Sequence, residues 1–343
     1  MHDDRPPLRL RLAGLGEKPG RSGGGRVAWH ARPLWRTLLA YAAALVILGL
    51  VAHTVSLSGL RAASAQARPS LFLSACLVAA LGWLIGDAFL FSRLFSYFRA
   101  PVGFAEMLPA NAMHEFLQLL DTMAAGLAIV GFVHRRSGLS FLAVGATMLL
   151  QGLVDFQVIA WGALLAVPRA SGMAADLAWY YPALVVACTW IFAAWWMVGR
   201  PHTRLGAWLR QRPALQAFRM ARPSHYLRLS LIRALIYASQ GVALYGELRA
   251  FNIPAPLRDV FALEAAILLL GALPIAPAGL GVRQVLTVTL LRAFAPRATL
   301  LAAALAHSAV MMVFRMLMGL LFAGRFARLL AEPRAGGAVL HQA

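Results

Sequence analysis

Charged and hydrogen-bonding side chains recur at helical spacing within stretches that are otherwise apolar. His114, Gln118 and Asp121 stand at i, i+4 and i+7, with Glu115 and Thr122 flanking the same side. Thr147, Gln151 and Asp155 form a second such face. Arg233, Tyr237, Gln240, Leu244 and Glu247 form a third, and His307, Met311 and Arg315 a fourth. Asp87 stands apart, behind Gly82 and Gly86, which let a neighbouring helix approach closely. An ionisable group is costly in hydrocarbon, so it faces a bundle interior or an aqueous cavity. Two chemistries suit this inventory. One is interhelical hydrogen bonding that holds a bundle together. The other is a polar, partly hydrated cavity at mid-membrane that receives a lipid headgroup while the acyl chains stay in lipid. Four stripes in one chain favour the cavity.

Arg283 has the clearest physical logic. It falls in the first turn of a helix that opens after Gly279 and Gly281, where the helix dipole disfavours a cation. A bound anion reverses that sign. Backbone N–H groups at the helix start, glycines that admit close approach and a guanidinium fork, with Gln284 beside it, together suit a phosphate. The competing reading has Arg283 reaching for the outer headgroups.

Catalytic signatures are missing. There is no HExxH, GxSxG, P-loop or paired-metal spacing, and His114-Glu115 is followed by Phe116-Leu117-Gln118 rather than the zinc-protease pattern. No catalytic residue, metal ligand or cofactor is therefore assigned. Should the chain modify a lipid after all, His114, Glu115 and Asp121 are its acid/base candidates. Cys76 and Cys188 lie inside apolar runs without a CxxC pair and read as small core hydrophobes.

The elements that must position these groups are set by composition. Of 343 residues, 60% are hydrophobic and 13% charged, which is far from a soluble globular chain. Apolar runs near 37–56, 71–92, 140–166, 180–199, 229–250 and 299–323 are each long enough to cross a bilayer. Two further segments are apolar but broken. One runs from Pro101 to Val133, interrupted at Pro109-Ala110-Asn111. The other runs from Asp259 to Phe294, interrupted over Leu273–Gly281, where two prolines and two glycines in nine residues cannot continue a helix.

Basic residues decide how the broken segments sit. If each dips into the bilayer and returns to the same side, the cytoplasm receives most of them. These are the eight of the N-terminal tail, Arg93 and Arg99, Arg135 and Arg136, the seven of the 200–228 loop, and Arg325, Arg328 and Arg334. The outside keeps Arg61, Arg68, Arg169, Arg249, Arg258, Arg292 and Arg297. Treating 113–133 as an ordinary span would instead export the densest basic loop, against the positive-inside rule. The expectation is an all-α polytopic membrane protein of about six full spans plus two re-entrant helical hairpins. The hairpins enter from opposite sides, as an inverted repeat of 37–166 and 180–323 would produce. Residues 1–36 read as a disordered basic cytoplasmic tail, 37–325 as the membrane domain and 326–343 as a second cytoplasmic tail, with the chain in the inner membrane. The 32 Lys+Arg against 13 acids then reflect topology rather than nucleic-acid binding. Between Thr203 and Arg222, apolar residues such as Trp208 alternate with five arginines, which suits anionic inner-leaflet lipid.

The stretch Pro274-Ile275-Ala276-Pro277-Ala278-Gly279-Leu280-Gly281-Val282-Arg283-Gln284 resembles the Pro-x-x-x-Gly-Gly-Leu-Gly-x-x-Glu signature of the flippase-like membrane domain of lysylphosphatidylglycerol synthases. The resemblance covers about residues 37–325. Ala278 stands where the family usually has glycine and Gln284 where it usually has glutamate, so a role that needs that carboxylate, such as proton coupling, is not carried over. The resemblance implies translocation of lipid or handling of lipid-linked intermediates. The family's synthase activity belongs to a separate soluble domain, so aminoacyl transfer is not expected of this chain. Three functions follow in order: a translocase for an anionic phospholipid or polyprenyl-linked lipid, a non-transporting partner of a glycolipid or envelope-synthesis enzyme, and an intramembrane lipid-modifying transferase.

Overall fold

Long apolar runs with few turn residues form long helices, and four dominate the structure. In this computed structural model, residues 57–98, 100, 102–166, 183–191, 220–271 and 281–332 are described, with single positions at 204, 207 and 217. The helices are α1 (Leu57–Ala65), α2 (Pro69–Tyr97), α3 (Phe104–Gln118), α4 (Thr122–Ser137), α5 (Phe141–Ala166), α6 (Pro223–Ala250), α7 (Leu257–Gly271), α8 (Val282–Leu290) and α9 (Arg297–Ala331). Among the described residues there is no strand. Helices α2, α5, α6 and α9 are long and apolar enough to cross a membrane. Their outer faces carry exposed leucines, among them Leu149, Leu235, Leu320 and Leu321. Hydrocarbon is the solvent such faces require. The expected span 37–56 and the tail 1–36 lie outside the described residues. So do most of 180–199 and of the 200–228 loop, and all of 333–343.

Antiparallel α2 and α6 form the spine. At one end the Arg68 N–H donates to the Ala250 carbonyl at 2.9 Å. At the other, the Tyr97 ring stacks on His225 at 4.4 Å. The two backbones approach so closely that a Cβ on Gly82 would fall 2.4 Å from Ser239 Oγ, and one on Gly86 2.6 Å from Ile236. Between these glycines α2 widens into a π-helical turn, Gly82–Gly86. The Trp83 and Leu84 carbonyls of this turn accept the Asp87 N–H, and the fully buried Asn111 of α3 donates to both as well, at 3.3 and 3.0 Å.

That contact corrects one expectation. The first broken segment is not interrupted at Pro109-Ala110-Asn111, because α3 runs through all three. Pro109 is only the sixth residue of its helix, so it removes one early hydrogen bond, and burial of Met107, Ala110 and Ala112 holds the turn in place. The break falls at Leu119–Asp121, where Asp121 takes extended backbone and its Oδ1 accepts the Ala124 N–H at 2.9 Å, capping α4. Helices α3 and α4 have 15 and 16 residues. At about 1.5 Å per residue they fall short of a roughly 30 Å hydrocarbon core. Glu106 at the start of α3 pairs with Arg136 at the end of α4, and Arg136 also reaches Glu332 after α9 at 3.1 Å. The pair therefore opens toward the end of the bundle where α9 finishes.

Helices α7 and α8 form a second short pair of 15 and nine residues. The expected interruption, 272–280, lies outside the described residues. The second half-helix is shorter than the expected run to residue 294, because the chain turns after Leu290 before α9 starts. Only six residues separate α6 from α7, so this pair starts from the bundle end marked by Arg68 and Ala250, opposite to the first.

Candidate functional site

Ionic residues in the four long helices and two short pairs meet in three clusters. Helix α6 contributes to two of them through Arg233 and Glu247, which are 14 positions, or about 21 Å, apart along its axis.

The first cluster centres on Arg233. Its Nη1 lies 2.6 Å from Asp87 Oδ1 and its Nη2 2.5 Å from Asp155 Oδ2. The guanidinium sits over the Trp83 ring at 5.1 Å, and Gln151 Nε2 donates to Asp155 Oδ2 at 2.5 Å. Two carboxylates on one guanidinium, with an aromatic face behind it, is how a buried arginine stays charged away from water. Thr147, on the same face of α5, turns its hydroxyl back to the Ala143 carbonyl.

The second cluster joins the first short pair to α9. Arg315 Nε and Glu115 Oε2 are 3.0 Å apart, an ion pair without the alignment of a hydrogen bond. One turn away a Cβ on Gly319 would overlap Phe116 at 2.5 Å, so glycine is what lets α3 and α9 close on each other. His114 and Gln118 are bonded to one another, Nε2 to Nε2, at 2.7 Å, and His114 Nδ1 is buried without a partner. Asp121 does not continue this stripe, because α3 ends at Gln118 and the Asp121 carboxylate caps α4.

The third cluster lies nearer the opposite end. His307 Nδ1 is 2.8 and 2.9 Å from the two oxygens of Glu247, and Cys76 Sγ lies 3.7 Å from Glu247 Oε1. Arg283 turns inward, its Nη2 3.7 Å from Glu264 Oε1, while Glu264 Oε2 is buried without a partner. A cavity of about 10 Å³ opens between Glu247, Arg283, Thr287 and His307, room for about one water-sized ligand. Tyr237 and Gln240, in the same α6 stripe, bond the carbonyls of Phe261 and Ala79.

Gly281 takes φ 82°, a conformation that favours glycine. Its N–H donates to Gln284 Oε1 at 2.7 Å, so that donor already serves the helix start. Gln284 Nε2 donates to Ser308 Oγ at 2.8 Å, and the Ser308 hydroxyl spends its proton on the Ala304 carbonyl. An amide meets both demands as they stand: a carboxylate would accept from Gly281 but could bond Ser308 only if that hydroxyl turned away from the Ala304 carbonyl. Gly279 lies outside the described residues.

Four participants were not singled out in the sequence: Glu264, Trp83, Ser308 and Cys76 as a polar partner. Glu264 carried a usable signal, a lone acid within the apolar run from Phe261 to Leu270. The other three depend on helices distant in the chain.

No curated protein matches the chain. A sequence model of the lysylphosphatidylglycerol synthase TM region matches residues 37–319, and the chain is a membrane protein of that family.

Proposed function

We propose that this protein is a lipid translocase that moves an anionic phospholipid or lipid-linked intermediate through its polar interior. Family membership supports a lipid-handling role. The observation that carries the finer reading is a set of buried ionic clusters, inside a lipid-facing apolar shell, that spreads along α6 from Arg233 to Glu247. A bundle that needed only cohesion has no use for ionic groups distributed over about 21 Å of helix. A headgroup that must cross the membrane does, since each cluster replaces part of the water it leaves.

In this reading six spans and two re-entrant pairs form an inverted repeat of 37–166 and 180–323. Both termini and the 200–228 loop lie in the cytoplasm, and the membrane is the inner one. Arg283 meets the phosphate at the cavity beside Glu247 and His307. That cavity is far smaller than a headgroup, so passage requires the helices around it to part, the alternating motion that opposed repeats permit. The same arrangement argues against an enzyme: the groups that could exchange protons are engaged with one another rather than aimed at a common reacting point.

The test is reconstitution in liposomes with a headgroup-labelled anionic phospholipid and a zwitterionic control. Transbilayer movement of the anionic lipid should exceed that in protein-free vesicles and fall at least about tenfold in Arg283→Ala, the loss of one charge-assisted phosphate contact. Equal rates with and without protein would overturn the assignment.

A further inference from the structure

We infer that Cys76, Glu247 and His307 form a binding site for a single divalent ion of the zinc class, independently of whether lipid is moved. Helices α2, α6 and α9 each supply one donor: a sulfur, a carboxylate oxygen and an imidazole nitrogen. The three atoms lie within 4.8 Å of one another, and all three residues are buried. Four-coordinate zinc binds such donors at about 2.0–2.3 Å, which sets neighbouring ligands about 3.3–3.8 Å apart. The Sγ to Oε1 separation of 3.7 Å already matches. The 2.8 Å between His307 Nδ1 and Glu247 is a hydrogen bond whose proton the ion would replace, opening that pair by about half an ångström.

Charge favours the same ion. In a low-dielectric interior a site is stable when its charges cancel. One thiolate and one carboxylate balance one divalent cation with a neutral imidazole. The nearby guanidinium does not spoil that balance, because Arg283 faces Glu264, 3.7 Å away. On binding, Cys76 loses its thiol proton to solvent as the sulfur–metal bond forms, and the imidazole proton of His307 resides on Nε2, leaving Nδ1 to coordinate. Hard ions such as Mg²⁺ are excluded by the sulfur and nitrogen donors. The second observation is the cavity bounded by Glu247, His307, Arg283 and Thr287, which has room for one water-sized fourth ligand. Three protein ligands and one small open position are the arrangement of zinc sites that exchange a ligand.

The experiment uses the full chain, purified in detergent, stripped with a chelator and titrated with Co²⁺. The probe is chosen because thiolate–cobalt coordination produces a near-ultraviolet charge-transfer band. We expect about one cobalt per chain, displaced by Zn²⁺, with Zn²⁺ also raising the melting temperature. Cys76→Ala should abolish the band, and His307→Ala should weaken cobalt binding by at least about tenfold. Cys188→Ala, which removes the other thiol, should leave both unchanged. Cys76→Ala is a small substitution at a packed site; its elution as a single folded species secures the comparison should His307→Ala fail to fold. No band in the wild-type protein, a band that survives Cys76→Ala, or one lost in Cys188→Ala would overturn the site.

Discussion

Two of the buried ionic clusters are built from the same residue types to opposite effect. Around Arg233, both terminal nitrogens of one guanidinium meet separate carboxylates at 2.5–2.6 Å, and an indole covers its face. Around Arg283, the guanidinium stands 3.7 Å from the Glu264 carboxylate, with no closer ion pair among the described residues, and a cavity opens alongside. The first guanidinium is fully engaged, although Asp155 Oδ1 keeps no partner of its own: α2, α5 and α6 cannot separate without stranding charge in hydrocarbon. The second has coordination to spare. A membrane protein that must both hold together and open for a ligand needs one of each. How closely the guanidinium is held, rather than the presence of charge, distinguishes strut from site.

The largest expected effect comes from breaking the strut. Arg233→Met leaves Asp87 and Asp155 buried without a cation, and unpairing a buried charge typically costs about 3–5 kcal/mol. We expect most of the protein to be lost to aggregation, read as the disappearance of the monodisperse peak in fluorescence-detected chromatography. A variant that elutes and melts like the wild type but no longer moves lipid would reverse the assignment, making this cluster the working site.

A matched pair of neutralisations sharpens the contrast. Asp155→Asn removes one of the two charges that engage Arg233 and should lower stability by about 1–3 kcal/mol. Glu264→Gln removes a carboxylate that is only loosely engaged and should leave stability within about 1 kcal/mol of wild type. Lipid movement should nevertheless change in the second variant, because Arg283 loses its counter-charge and holds an anion more tightly. Thermal melts of the two variants side by side provide the check, and equal losses would erase the distinction.

The sequence made the scaffold legible where the physics is local. Apolar length located α2, α5, α6 and α9, because a span must match the bilayer whatever it packs against, although their polar ends run up to eight residues beyond the apolar runs. The stripes on α5, α6 and α9 were legible as polar faces, since burial of polar groups follows the helical repeat. Their pairing was not. Asp87 and Arg233 are 146 positions apart, and Cys76 and Glu247 171; nothing local states which faces meet. Asn111 misled for a related reason: beside a proline it reads as a break, yet its amide serves two carbonyls of a π turn in another helix. Glu264 escaped because it is a single acid rather than one of a stripe. Gln284, a departure from the family signature, makes sense only once Ser308 is seen to offer it an acceptor.

A third ionic group tests how far that rule extends. Glu106, Arg136 and Glu332 tie the open end of the α3–α4 pair to the end of α9. Like Arg233, Arg136 meets two carboxylates, but Glu332 is half exposed and Glu106 about a quarter. Water supplies an alternative partner there, so the pairing adds little beyond what solvation already provides. Glu106→Gln should therefore cost only about 0–1 kcal/mol, and lipid movement should stay close to wild type. The measurement is again a thermal melt, repeated at high salt. Ionic strength should narrow the small difference between variant and wild type, since exposed pairs are screened and buried ones are not. A loss as large as that of Asp155→Asn would mean that closure of the α3–α4 base, and not depth of burial, governs how the bundle holds together.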